Sequence, residues 1–153
     1  MPSDPIRELI LQDCAAALWL IDGTGAYYST LADVQRGKAV PNMEDPLPVA
    51  FLDEGDEDQP EEDTNLLLKW SLPIAVKGWL RSADESLHTL ANRLLADIER
   101  AICADPTRGG LAKRITITSR GITTDEAPGT LASVQVQFLV QYYTLRGNPA
   151  SKG

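Results

Sequence analysis

Residues 133–145, SVQVQFLVQYYTL, set Val134, Val136, Phe138, Val140 and Tyr142 against Gln135, Gln137, Gln141 and Tyr143. Side chains of a strand alternate between two faces, so this spacing predicts a strand with one apolar face and one polar but uncharged face. The apolar face must be covered by other elements of the chain. A second segment, Asn65 to about Lys77, alternates in the same way. Leu66, Leu68, Trp70, Leu72, Ile74 and Val76 share one side, and Lys69, Ser71 and Lys77 the other. Leu67 and Ala75 also fall on that second side, so it is not purely a wet one. Pro73 cannot donate to a ladder, which places this strand at an edge or at a bulge. RITITSRGIT at 114–123 alternates Ile115 and Ile117 with Thr116 and Thr118, and DEAPGT reads as a type II turn closing a hairpin with 133–145.

Two helices are available to cover the apolar face. Asp4 can cap a helix with Pro5 in its first position, where the missing donor costs nothing. That helix is expected to run to about Ile21. Ile6, Leu9, Ile10, Cys14, Ala17 and Ile21 share a face, Leu11 and Leu18 widen it, and Trp19 lies almost opposite. A helix apolar on more than one side is usually covered on more than one side, which hints at a neighbouring subunit. The second helix is announced by Ser82-Ala83-Asp84-Glu85, a capping box with Ser82 as cap. Its stripe is Leu87, Leu90, Ala91, Leu94, Ile98, Ala101 and Ile102, ending near Asp105-Pro106 before a flexible Arg108-Gly109-Gly110 turn. Tyr27 to Gln35 reads as a strand and Val49–Leu52 as a short one. The expected order is α–β–β–β–α–β–β, an α+β fold with two helices packed on one face of a mainly antiparallel sheet. One domain is expected over 1–146, with 147–153 a loose tail.

Charge is concentrated in one place. Between Glu44 and Asp63 there are ten acidic residues and no Lys or Arg, while the remaining chain carries 14 basic and 12 acidic residues. The loop 53–64, with Asp53, Glu54, Asp56, Glu57, Asp58, Glu61, Glu62 and Asp63, is expected to be mobile because it is so charged and so poor in apolar residues. Nucleic acid would be repelled by it. It is a solvated connector, an electrostatic surface or, least in keeping with its spacing, a calcium site, since D-E-G-D-E-D lacks the ligand pattern of an EF-hand.

The inventory for catalysis is thin. His88 flanks the apolar stripe of the second helix, Cys14 sits on an apolar face, and Cys103 lies far from it, so both thiols are expected to be reduced. No zinc spacing is present, and Gly23-Thr24-Gly25 does not extend into a phosphate loop. No window is apolar for the roughly 18 residues that a membrane span needs. MPSDPIREL has no basic start followed by an apolar run, so no secretory signal is expected. No enzyme activity, metal or cofactor is therefore expected. Trp19 either fills the core through a different helix phase or joins an interface. Asp13 is an interior carboxylate, a partner in an inter-subunit salt bridge, or the product of a phase error. Gln135, Gln137, Gln141 and Tyr143 form either a solvated sheet face or a subunit contact, where charge depletion is typical.

The order of elements resembles the tail terminator proteins of long-tailed bacteriophages, also called minor tail or tail completion proteins of the lambda-type family. The likeness is carried by the N-terminal helix, YYSTLADVQRG, the proline-bounded strand and loop, NLLLKWSLPIAVKGW, SADESLHTLANRLLADIERAI and the hairpin ending VQVQFLVQYYTLRGNP. It is one of architecture over nearly the whole chain, with no catalytic signature. It implies a hexameric ring on the head-proximal end of the tail tube that stops elongation and prepares head–tail joining, without cofactor or catalysis. The implied partners are copies of the chain, the tail tube protein and the head–tail connector protein. No specific nucleic-acid binding and no membrane are implied, and the virion would be assembled in the host bacterial cytoplasm. Asp13, Trp19, Gln135, Gln137, Gln141 and Tyr143 become interface candidates, and the acids of 53–64 candidates for the lumen or axial face. A head-side neck protein is the competing reading, and a small-ligand-binding α+β domain a third.

Overall fold

A computed structural model describes residues 2–37, 40–42, 44–82, 86–124 and 131–152. Its frame is the pair of long strands foreseen from their alternation, β4 (Leu67–Arg81) and β6 (Leu131–Leu145). They run antiparallel in unbroken register from Leu67 opposite Leu145 to Arg81 opposite Leu131. At about 3.3 Å per residue each spans roughly 50 Å. Around them lie α1 (Ile6–Leu18), β1 (Asp33–Arg36), β2 (Val49–Glu54), β3 (Glu61–Glu62), α2 (Leu87–Cys103) and β5 (Arg114–Thr124). The sheet order is β1-β2-β4-β6-β5, with β3 also paired to β4. All pairings are antiparallel except β1 with β2. This is the expected α+β class and order, with one extra two-residue strand.

Register divides the sheet into two faces. Ala50, Leu52, Leu72, Ile74, Val76, Leu80, Val134, Val136, Phe138 and Val140 lie on the face that meets the helices, and they form one buried cluster with Ile6, Ile10, Leu11, Leu18, Leu94 and Ile98. Gly78 on that face is where α2 comes closest. A β-carbon there would stand 2.9 Å from Leu94 Cδ2, 3.0 Å from Ile98 Cδ1 and 3.1 Å from Val134 Cγ2, so the absence of a side chain lets the helix seat.

The helices differ from expectation at their ends. α1 has Pro5 as its N-cap and no side-chain cap; Asp4 instead accepts a long hydrogen bond from Gln12. The amide of Ile6 donates to the carbonyl of Pro149 at 2.9 Å, so the C-terminal segment caps the first helix. Residues 147–152 are correspondingly folded back, with Leu145 N bonded to Ser151 O, rather than forming a loose tail. α1 stops at Leu18 because Leu20 and Ile21 tighten into bonds to Ala17 and Leu18. Leu11 and Leu18, which widened its apolar face, are buried within this same chain, so they need no neighbour. α2 begins at Leu87 with Ser86 as N-cap, four residues beyond Ser82. The remaining capping-box residues 83–85 and the expected turn at 125–130 lie outside the described residues.

Two strands were misjudged in extent. Tyr27 to Ala32 is not strand, because the amides of Tyr28 and Ser29 donate to the Asp97 carboxylate rather than to a ladder. Pro73 lies in the central strand, not at the sheet's edge. Its carbonyl accepts from Gly55 N at 2.9 Å, so its missing donor faces the interval between β2 and β3 and costs no bond to β6.

Candidate functional site

The face of the sheet away from the helices holds the uncharged side chains predicted from 133–145. Gln135, Gln137, Gln141 and Tyr143 are joined there by Ser71, Ala75 and Leu139, and by Thr116 and Ser119 of β5. Gln137, Ser71, Thr116 and Ser119 are exposed, and Gln135, Gln141 and Tyr143 half-buried. Its charges are mainly basic: Lys77 lies 4.9 Å over the Trp79 ring, and Lys113 5.3 Å over Tyr143. At the β2 end, Val49 and Phe51 of this face are buried, so the accessible part is the β4–β6–β5 region.

The acidic run is not one loop. Asp53 and Glu54 end β2, Glu61 and Glu62 form β3, and only 55–60 lacks strand structure between them. Its glutamates and aspartates divide sharply. Glu54 pairs with Arg7 at 3.0 Å, Glu57 with Arg7, Glu61 with Lys69 at 3.8 Å and Glu62 with Arg146. The carboxylates of Asp53, Asp56, Asp58 and Asp63 are exposed and, among the described residues, none meets a Lys or Arg. The longer glutamate side chains reach back to the body of the protein, and the shorter aspartates project from it.

Glu57 is the deepest of them, with its side chain 10% exposed, and it accepts from the Tyr142 hydroxyl at 2.8 and 3.0 Å. Burial, together with that bond to a carboxylate, pushes the Tyr142 phenol well above its ordinary value. Arg36 donates to both oxygens of Glu8 and holds its carboxyl below the ordinary value. Glu8, Glu57 and Tyr142 line a cleft of about 580 Å³ together with Leu68, Trp70 and Leu145. A raised phenol stabilises the fold fully below pH 10, its ordinary value. As pH rises above that, the unfolded chain loses the proton while the folded one keeps it, and stability falls. Alkaline unfolding of Tyr142→Phe should therefore show a flatter loss of stability above about pH 10 than the parent. Equal slopes would place the phenol outside the linkage.

The remaining candidates do not converge on the open face. Trp19 is 49% exposed at the C-cap of α1, beside Leu20 at 63%, on the helix side. It does not fill the core. Asp13 pairs at 3.1 Å with Arg108 of the same chain and its side chain is 41% exposed, so it is not an interior carboxylate. Arg108 itself is buried, and its guanidinium donates to the carbonyls of Ile102 and Asp105 at the end of α2. The turn read as flexible is therefore a fastening between the two helices. Asp97, fully buried in the apolar stripe of α2, was also passed over; an acid inside such a stripe is the signal that could have found it. Burial pushes the Cys14 thiol up to about 12, so it stays protonated and inert.

Among the described residues, no helix is long and apolar enough to cross a membrane. No family model matches the chain, and no curated protein matches it. Among solved structures, the chain is similar to a protein of the virion of a native gene transfer agent particle, with 14% identity, 92% of each chain covered and a TM-score of 0.39.

Proposed function

We propose that this chain is a structural virion protein that works as a tail terminator: a hexameric ring capping the head-proximal end of a phage tail tube, stopping its elongation and preparing head–tail joining. The observation that carries the reading is the accessible β4–β6–β5 face, where Gln135, Gln137, Gln141 and Tyr143 present an uncharged polar strip that no element among the described residues covers. Surfaces of this kind suit packing against other protein subunits, where charge is depleted. The resemblance of element order to terminators supports the same role, as does an acidic edge whose four unpaired aspartates would put about 24 exposed charges into a ring of six, screened beyond about 8 Å at physiological salt. That is a milder repulsion toward passing DNA than the full acidic run would exert.

The ring's partners on this reading are the tail tube protein and the head–tail connector protein, with no specific nucleic-acid or membrane contact. Electron microscopy of particles made without the protein tests it. Overlong tubes are expected; tails of normal length left unattached to heads would assign the chain to the head-side neck instead. The cleft above Trp70 favours a second reading, a small-ligand-binding domain, which would require normal tails in its absence.

A further inference from the structure

The two edges of the sheet are unlike in both shape and charge. β5 is an edge strand of 11 residues, exposed along most of its length, and its outer main-chain groups have no strand partner among the described residues. Such an edge is a template for another chain unless something blunts it. A bulge between Ile117 and Ser119, where Thr118 bonds back to Gln137 O, interrupts it only at its middle. Lys113 and Arg114 stand exposed at its start, and neither pairs with a carboxylate among the described residues. On the opposite side β1 pairs with β2 only as far as Leu52, and beyond it Asp53, Asp56, Asp58 and Asp63 are exposed and, among the described residues, likewise without a basic partner.

The two charged patches lie at the same level along the strands. Asp53 is opposite Ala75 and Glu61 opposite Lys69, which brackets Asp56 and Asp58 between those β4 positions, with Asp63 just beyond them at Leu67. Ala75 and Lys69 are in turn opposite Gln137 and Tyr143 of β6, and β5 meets that span with Ser119 opposite Gln137 and Arg114 opposite Gln141. A basic patch and an acidic patch at one height on opposite edges of a sheet can be brought together by rotation with little shift along the strands. That operation closes a ring, whereas a large shift would make an open helix.

We propose that the β5 edge of one copy binds the acidic β2–β3 edge of a second copy, so that copies associate head to tail through opposite edges of the sheet. The occupant is this chain itself because it carries both complementary patches, and charge of opposite sign steers the encounter and sets its register. The inference deepens the ring reading and rests on it for the expectation that copies associate. It does not depend on where in a particle the ring sits.

Analytical ultracentrifugation of the full chain tests the pairing, using two variants altered only at exposed residues, Lys113→Glu with Arg114→Glu, and Asp56→Lys with Asp58→Lys. Circular dichroism establishes that both fold. The parent should form species heavier than one chain, more weakly at about 500 mM than at about 50 mM salt. Each variant alone should associate about tenfold or more weakly. Mixed in equal amounts they should regain species heavier than one chain, because each edge of one variant then meets opposite charge on the other. A monomeric parent at about 1 mM, variants that assemble like the parent, or a mixture that stays monomeric would each overturn the proposal. Head-to-tail assembly in solution combined with normal tail lengths in its absence would keep this interface and remove the terminator reading.

Discussion

Asp97→Ala is expected to lower stability by about 3 kcal/mol, because it strips the acceptor from two backbone donors at once. The carboxylate is fully buried on α2, with Oδ1 3.0 Å from the Tyr28 amide and Oδ2 2.8 Å from the Ser29 amide. Neither amide has a ladder to fall back on, since β1 does not begin until Asp33. Alanine leaves a void as well as the two orphaned donors, and Asp97→Asn keeps one acceptor oxygen but points an amide donor at the other N–H. Asparagine should therefore recover only part of the loss. Urea unfolding measures the change, and hydrogen exchange at Tyr28 and Ser29 localises it. A loss below about 1 kcal/mol with unchanged exchange would mean that the 22–32 segment holds its own shape.

Arg108→Ala should cost about as much, roughly 3 kcal/mol, for a different reason. The guanidinium is 3% exposed and satisfies the Ile102 and Asp105 carbonyls while pairing with Asp13, so one side chain ends α2 and ties it to α1. Lysine cannot reproduce that fork, and Arg108→Lys should regain little. Arg108 also has φ of +47°, a left-handed conformation that glycine adopts freely and alanine does not. Arg108→Gly should thus lose about 1 kcal/mol less than Arg108→Ala, although it removes more of the side chain. Asp13→Asn should cost less than either, because its carboxylate is partly open to water and its attraction is screened. Equal losses for glycine and alanine would show that the backbone there carries no strain.

The parts of the fold legible in the chain were those set by period. Val134 to Tyr142 and Leu68 to Val76 announce long strands because burial of one face forces an alternation that no loop needs to keep, and the stripe from Leu87 to Ile102 announces α2 for the same reason. What was hidden depends on partners distant in sequence. Asp97 takes two amides from residues 28 and 29, Arg108 reaches Asp13, and Pro149 caps Ile6; local pattern holds no record of these. The acidic run shows the same limit. Its composition speaks for a solvated loop, yet Arg7, Lys69 and Arg146 reclaim its glutamates and leave only the aspartates outside. The uncharged face of β6 was legible to the residue, because nothing but alternation was needed to find it.

The bond from the Ile6 amide to the Pro149 carbonyl sets an order of events during synthesis. At about 5–20 residues per second, the carbonyl that closes the start of α1 is made roughly 7 to 30 s after the amide it accepts from. Arg108, the fastening at the other side of that helix, also arrives late. A ribosome-bound nascent chain therefore holds α1 without its cap or its bolt, and Ile6, Ile10 and Leu11 have no finished core to enter until β6 is complete. Of the two helices described, the one translated earlier is among the last pieces to lock.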